Sequence, residues 1–223
     1  MEPDEYDKYR EMVVEGAKAI FDAGLVVHGE GNVSVRVKDT DEFFITPSQN
    51  DYANFTKDDV VHMRMDGTQL SKGKPKSTEY KLHIALYEAR KKVQSVVHLH
   101  SPYAGMLSVA KKEIPVFYEE IVKALGGPIK ISKYSVAGEE AIGQNVVEAI
   151  GKANACLIEN HFGVVCGRNV KRAVKAAIAL EKTAQVYWGA LQIGNVEPIP
   201  EKNLQKAHSY FDALDATYSK RKK

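Results

Sequence analysis

The chain has 223 residues, of which 44% are hydrophobic and 27% charged, and carries a formal net charge of +2. This length fills one sizeable core, so a single domain over residues 1–223 is the simplest organisation. So small a charge argues against nucleic acid or an anionic membrane as the main partner, and no apolar run approaches the length of a bilayer span.

In chain order, Val13, Ala17, Ile20 and Phe21 recur at helical spacing and predict an amphipathic helix over residues 6–23 that stops at Gly24. Val33, Val35 and Val37 alternate with Ser34 and Arg36, and Phe43-Phe44-Ile45 follows a polar turn, which reads as a hairpin. Ser77-Thr78-Glu79 opens a helix with Leu82, Ala85, Leu86 and Ala89 on its apolar face. Residues 94–100 read as a strand and residues 102–110 as a helical segment, followed by a strand over 129–136 and a helix over 139–152. Cys156-Leu157-Ile158 and Val164-Val165-Cys166 read as short buried strands, and helices follow over 170–193 and around Leu204, Ala207, Phe211, Leu214 and Tyr218. Strands grouped between helices, with hairpins beside crossovers, predict an α/β fold: a mixed, mainly antiparallel central sheet covered by helices on both faces.

The acidic start, Met1-Glu2-Pro3-Asp4-Glu5, lacks the basic-then-apolar order of a secretory signal, so a cytoplasmic protein is expected. Cys156 and Cys166 fit neither a disulfide framework nor a C-x-x-C motif and are expected to be buried thiols. The basic run Lys220-Arg221-Lys222-Lys223 reads as a solvated helix end.

The richest chemistry lies in Val96-Val97-His98-Leu99-His100-Ser101-Pro102. A strand projects residues i and i+2 from one face, so His98 and His100 form half of a metal site. Glu79 upstream and His161 downstream, in Glu159-Asn160-His161, complete a donor set of three His and one Glu that suits Zn²⁺, with Mn²⁺ or Co²⁺ also accepted. No spacing rule forces the four together, and Glu79 alone also reads as a carboxylate complementing a helix dipole. Unlike the thiolates of a closed structural site, a carboxylate ligand is displaceable and can carry protons, which favours catalysis.

Three clusters, Gly31-Asn32-Val33-Ser34, Thr46-Pro47-Ser48-Gln49 and Ser77-Thr78, combine small hydroxyl or amide side chains with strand ends or a helix start, as a phosphate dianion requires. Each also reads as structure alone: a tight bend, a turn, and an N-cap at Ser77.

Taken in order, Gly31-Asn32-Val33-Ser34, Thr46-Pro47-Ser48, Ser77-Thr78-Glu79, His98-Leu99-His100-Ser101-Pro102 and Asn160-His161 resemble the class II aldolase/adducin family over nearly the whole chain, and most nearly its L-fuculose-1-phosphate aldolases. The resemblance implies that Glu79, His98, His100 and His161 hold zinc and that Glu79 is also the acid/base. It places Gly31, Asn32, Ser48, Gln49, Ser77 and Thr78 at the substrate phosphate and Tyr118 near a catalytic tyrosine, while either Tyr210 or Tyr218 matches a further C-terminal tyrosine. It also implies a homotetramer with sites near subunit boundaries. The implied reaction is reversible cleavage of L-fuculose 1-phosphate, or a close ketose 1-phosphate, to dihydroxyacetone phosphate and L-lactaldehyde through a metal-stabilised enediolate.

Alternatives are an L-ribulose-5-phosphate 4-epimerase, which carries aspartate at the Glu79 position, a methylthioribulose-1-phosphate dehydratase, and a non-catalytic adducin-like module that lacks the ligands. Two departures stand out. Gln49 and Phe162 occupy positions where the family pattern has glycine, which bears on how closely backbone approaches the phosphate and on the shape of the pocket beside His161.

Overall fold

In chain order the computed structural model, which describes residues 3–49 and 51–220, begins with helix α1 (Pro3–Asp22), hairpin strands β1 (Asn32–Arg36) and β2 (Glu42–Ile45), and strand β3 (Val61–Arg64). Helix α2 (Tyr80–Ala89), strand β4 (Ser95–Leu99), helices α3 (Pro102–Val109) and α4 (Glu119–Leu125) and strand β5 (Lys130–Ser132) follow. Helix α5 (Glu140–Ile150), strands β6 (Ala155–Ile158) and β7 (Gly163–Gly167) and helices α6 (Val170–Ile193) and α7 (Gln205–Lys220) complete it.

The strands form one sheet of order β3-β2-β1-β4-β7-β6-β5, antiparallel at every pairing except β5 with β6. Alternation along each strand divides the core in two. Val33, Val35, Val97, Leu99, Leu157 and Val165 face α1, α3, α4, α6 and α7. Phe43, Ile45, Val96, Cys156, Ile158 and Val164 face α2 and α5. Each such side chain is almost fully removed from water, at about 1.5–3 kcal/mol apiece. The expected mixed sheet with helices on both faces is therefore the fold. Among the described residues no helix is long and apolar enough to cross a membrane.

Local differences have local causes. The expected strand over 129–136 shortens to Lys130–Ser132, because Tyr134 and Val136 are exposed and pair with nothing in the sheet. Edge strand β3 and the seven-residue helix α4 are too short to show a period. Ser77 is not the cap of α2: Glu79 takes that place, and the Ser77 hydroxyl oxygen accepts from the Glu79 N–H at 3.3 Å in the turn before it. Both cysteines are free and buried. Lys220 ends α7, and the rest of the basic run lies outside the described residues.

Candidate metal centre

β4 is the central strand of the sheet, and its register builds the site. On one side His98 pairs with Asn32 of β1; on the other it pairs with Val164 of β7. The β6–β7 turn, residues 159–162, thereby hangs over the end of β4 and sets His161 beside His98, with ring centroids 4.9 Å apart. His100 lies just beyond β4, its N–H donating to the Leu25 carbonyl at 3.0 Å. Its position is fixed from the α6 side as well. Glu181 accepts hydrogen bonds from the Ser101 hydroxyl at 2.6 Å and from the Tyr103 and Ala104 N–H groups at 2.9 Å, capping α3 where its own N-cap side chain does not. Glu79 projects from the start of α2, which covers the face that carries Asn32 and His98.

The four donors lie within 4.8 Å of one another. Glu79 Oε2 is 3.2 Å from His98 Nε2, Glu79 Oε1 is 3.4 Å from His161 Nε2, and the Nε2 atoms of His98 and His100 are 2.9 Å apart. A tetrahedral ion bound at about 2.0–2.1 Å separates its ligand atoms by about 3.4 Å. His98 Nδ1 lies 2.9 Å from the Gly163 carbonyl and donates to it, which turns the Nε2 lone pair inward. Glu79 Oε1 is buried with no hydrogen-bond partner among the described residues, a state that a coordinating cation relieves. The donor set thus fits a divalent ion.

Electrostatics agree. Burial opposes ionisation of Glu79, but the neighbouring His98 and His161 and the Asn32 hydrogen bond outweigh it and hold the carboxyl below its ordinary value. Burial, reinforced by His98, pulls His100 down to about 3 and lowers His161 also. Neutral imidazoles and a carboxylate are the ligand-competent forms.

The other expected site residues divide into two groups. Gly31, with φ +64°, has no room for a side chain: a Cβ would meet the His98 carbonyl oxygen at 2.6 Å. Asn32 is buried with both amide ends engaged, Nδ2 donating to Glu79 Oε2 at 3.1 Å and Oδ1 accepting from His83 Nε2. Its side chain thus bridges Glu79 and His83. The Thr46–Gln49 and Lys76–Thr78 segments run side by side through a bridge between Pro47 and Lys76 and a 3.0 Å bond from the Ser48 N–H to the Pro75 carbonyl. Ser77 is buried, while Gln49 and Thr78 are exposed.

Tyr118 lies elsewhere: it packs with the core on the opposite face of the sheet, and its hydroxyl is 3.0 Å from Thr183 Oγ1. Tyr210 is half-exposed on α7, lining a cavity with Glu120, Lys123 and Phe211. The Tyr218 side chain lies outside the described residues.

Both departures from the glycine pattern take left-handed backbone, Gln49 at φ +53° and Phe162 at φ +59°. At Phe162 the gain is visible. The ring stacks on His100 at 4.4 Å between centroids and 12° between planes, over Gly105, where a Cβ would sit 2.6 Å from the ring. Left-handed backbone costs a bulky residue about 1–2 kcal/mol, which the half-buried ring offsets. Phe162→Gly is expected to leave Tm within a few degrees but to weaken binding of a divalent ion, probed with Zn²⁺, about tenfold by loosening His100. Competition against a chelator measures this, and unchanged affinity would show that the stack does not orient His100.

Comparison with known proteins follows the same lines. The pattern of the class II aldolase and adducin N-terminal domain matches residues 11–188. A 5-methylthioribulose-1-phosphate/5-deoxyribulose-1-phosphate aldolase of Rhodospirillum rubrum is 31% identical over 207 residues, covering 91% of this chain and 92% of the relative. An L-fuculose phosphate aldolase of Escherichia coli is 29% identical over 196 residues, covering 88% and 89%. A solved L-fuculose 1-phosphate aldolase superposes with a TM-score of 0.87 at 21% identity, over 92% of this chain and 96% of that one. Fold, donor set and relatives together define a class II aldolase, a carbon–carbon lyase. The chain belongs to the class II aldolase and adducin family.

Proposed function

We propose that this protein reversibly cleaves a ketose 1-phosphate between C3 and C4 to give dihydroxyacetone phosphate and a short aldehyde, with L-fuculose 1-phosphate yielding L-lactaldehyde as the reference substrate. The convergence of Glu79 with His98, His100 and His161 carries this reading. Zn²⁺ is the proposed ion, with Mn²⁺ or Co²⁺ as competent substitutes for this donor set. Held by these four residues, the ion supplies Lewis-acid stabilisation of the negative charge that develops on oxygen during cleavage.

The chain's own residues supply the rest. In the condensation direction Glu79 removes the pro-nucleophilic C3 proton of dihydroxyacetone phosphate, and the electron pair left at C3 delocalises toward the C2 carbonyl. That pair then forms the C3–C4 bond to the aldehyde carbon while the aldehyde oxygen takes a proton; cleavage runs the same steps backward. Gly31, Ser48, Gln49, Ser77 and Thr78 are proposed to line the phosphate site. The phosphate is remote from the breaking bond, so its binding energy serves orientation.

Tyr118 is the proposed proton donor to the aldehyde oxygen. Because Tyr118 lies on the opposite face of the sheet from the cluster of its own chain, this role requires that it reach the cluster of a neighbouring protomer in the proposed homotetramer.

The test is a panel that includes L-fuculose 1-phosphate, 5-deoxyribulose 1-phosphate and 5-methylthioribulose 1-phosphate, with products identified by mass. Release of dihydroxyacetone phosphate with the matching aldehyde is expected. A single product lighter by one water would replace this reading with a dehydratase, and an isomer of unchanged mass would replace it with an epimerase.

A further inference from the structure

Glu79, the cap of α2, and His83 and Tyr87 within the helix lie at i, i+4 and i+8 and present one face to β1, where Asn32 and Ser34 project together at i and i+2. The two rows interlock as one buried chain of polar groups. Asn32 bonds to Glu79 Oε2 and to His83 Nε2, and Ser34 Oγ lies 2.6 Å from both His83 Nδ1 and the Tyr87 hydroxyl. Asn32, Ser34, His83 and Tyr87 are all buried, His83 completely.

Every donor in this chain is fixed by its far end. An ionised carboxylate only accepts, so Asn32 turns its NH₂ toward Glu79 and its carbonyl oxygen toward His83. His83 must then donate from Nε2, leaving Nδ1 to accept from the Ser34 hydroxyl, whose oxygen accepts in turn from Tyr87. Burial pulls the His83 imidazole down to about 3, in keeping with this single neutral tautomer. The amide in the middle cannot pass a proton without becoming an imidic acid, so the chain orients groups and does not conduct protons.

We propose that His83 is a positioning residue for the Glu79 carboxylate, acting through Asn32. Its Nε2–H locks the Asn32 amide against rotation, the amide holds Glu79 Oε2, and Oε1 is left as the oxygen presented to metal and substrate. The inference rests on Glu79 serving as ligand and base in the proposed lyase reaction.

His83→Gln and His83→Asn separate this role from packing. Glutamine sets an amide nitrogen near the place of Nε2 and preserves the donor to Asn32. Asparagine reaches only to the level of Nδ1 and leaves the Asn32 oxygen without one. H83Q is expected within about threefold of the parent protein in Zn²⁺ affinity and kcat. H83N is expected to lose about 10–100-fold in Zn²⁺ affinity, measured by chelator competition, and, at saturating Zn²⁺, a similar factor in kcat with KM nearly unchanged.

N32A/H83N should be no worse than N32A alone, since one pathway is cut twice. Equal losses in H83Q and H83N, or losses that multiply in the double variant, would overturn the proposal. Failure of H83Q to fold under conditions where Asn32→Ala folds would overturn it as well, by making His83 a packing residue. The affinity measurements use Zn²⁺ alone, so they stand even if the parent protein cleaves no ketose phosphate, an outcome that would sink the proposed reaction instead.

Discussion

Stripping the protein of metal with a chelator is expected to abolish carbon–carbon cleavage, and adding back Zn²⁺ to restore it. The ion would engage Glu79 Oε1, which has no hydrogen-bond partner among the described residues, and the Nε2 atoms of His98 and His100, which lie 2.9 Å apart. The same addition should raise Tm. A ligand at about 100 times its Kd stabilises the folded state by about 2.7 kcal/mol, or about 5–10 °C for a domain of this size.

The stripped protein should also weaken on the acid side. His83 and His100 sit at about 3 when folded against an ordinary 6.5, and His161 is lowered too, so between pH 6.5 and 3 the unfolded chain binds protons that the folded one does not. Stability therefore declines as pH falls below about 6.5. Glu79, held below its ordinary 4.5, adds loss in the same direction as it is protonated at lower pH. Tm across pH for stripped and Zn²⁺-loaded samples checks both effects. Cleavage that persists in a sample shown to be free of metal would refute the proposed chemistry.

How far this centre could be read from sequence depends on range. His98 and His100 were legible together because alternation within one strand forces them onto one face. Helix α6 was legible end to end because 24 residues carry many repeats of one period. The meeting of Glu79 and His161 with that pair depends on β4 lying between β1 and β7, which no local pattern encodes; only the resemblance supplied it. Asn32 was placed at the phosphate, and nothing in its own neighbourhood signals a partner 47 residues away.

On the same helix as Glu79 the apolar face of Leu82, Ala85, Leu86 and Ala89 was legible, but His83 and Tyr87 had no legible role, because their polar partners Asn32 and Ser34 lie on a strand 49–53 residues away. Glu181 had no signal at all: a carboxylate in the middle of a long helix reads as a solvated face, and its use as a cap for α3 is purely tertiary. Left-handed backbone at Gln49 and Phe162 was hidden for the opposite reason, since neither residue type advertises it.

Glu79→Gln is expected to lower kcat by about 10²–10⁴ at saturating Zn²⁺, the range a general base contributes and equivalent to about 2.7–5.4 kcal/mol of barrier. The substitution keeps shape and most contacts. A glutamine carbonyl oxygen still accepts from Asn32 Nδ2, so circular dichroism and, at equal metal occupancy, Tm should stay close to the parent. Basicity is what disappears, because an amide does not take up the C3 proton. An amide oxygen is also a poorer ligand than a carboxylate, so metal content must be measured on the same sample and the rate compared at equal occupancy.

Glu79→Asp provides the complementary test. It keeps the base but withdraws it by one methylene, about 1.5 Å, and a displacement near 1 Å costs on the order of 10²-fold when alignment governs the step. The expected order is parent, then Asp, then Gln. If the Gln variant, fully loaded with metal, cleaves within about tenfold of the parent, Glu79 is a ligand only and the base must be sought among other residues. If Asp falls to the level of Gln, the placement of the carboxylate matters as much as its charge, the property that the bond from Asn32, itself held by His83, is proposed to secure.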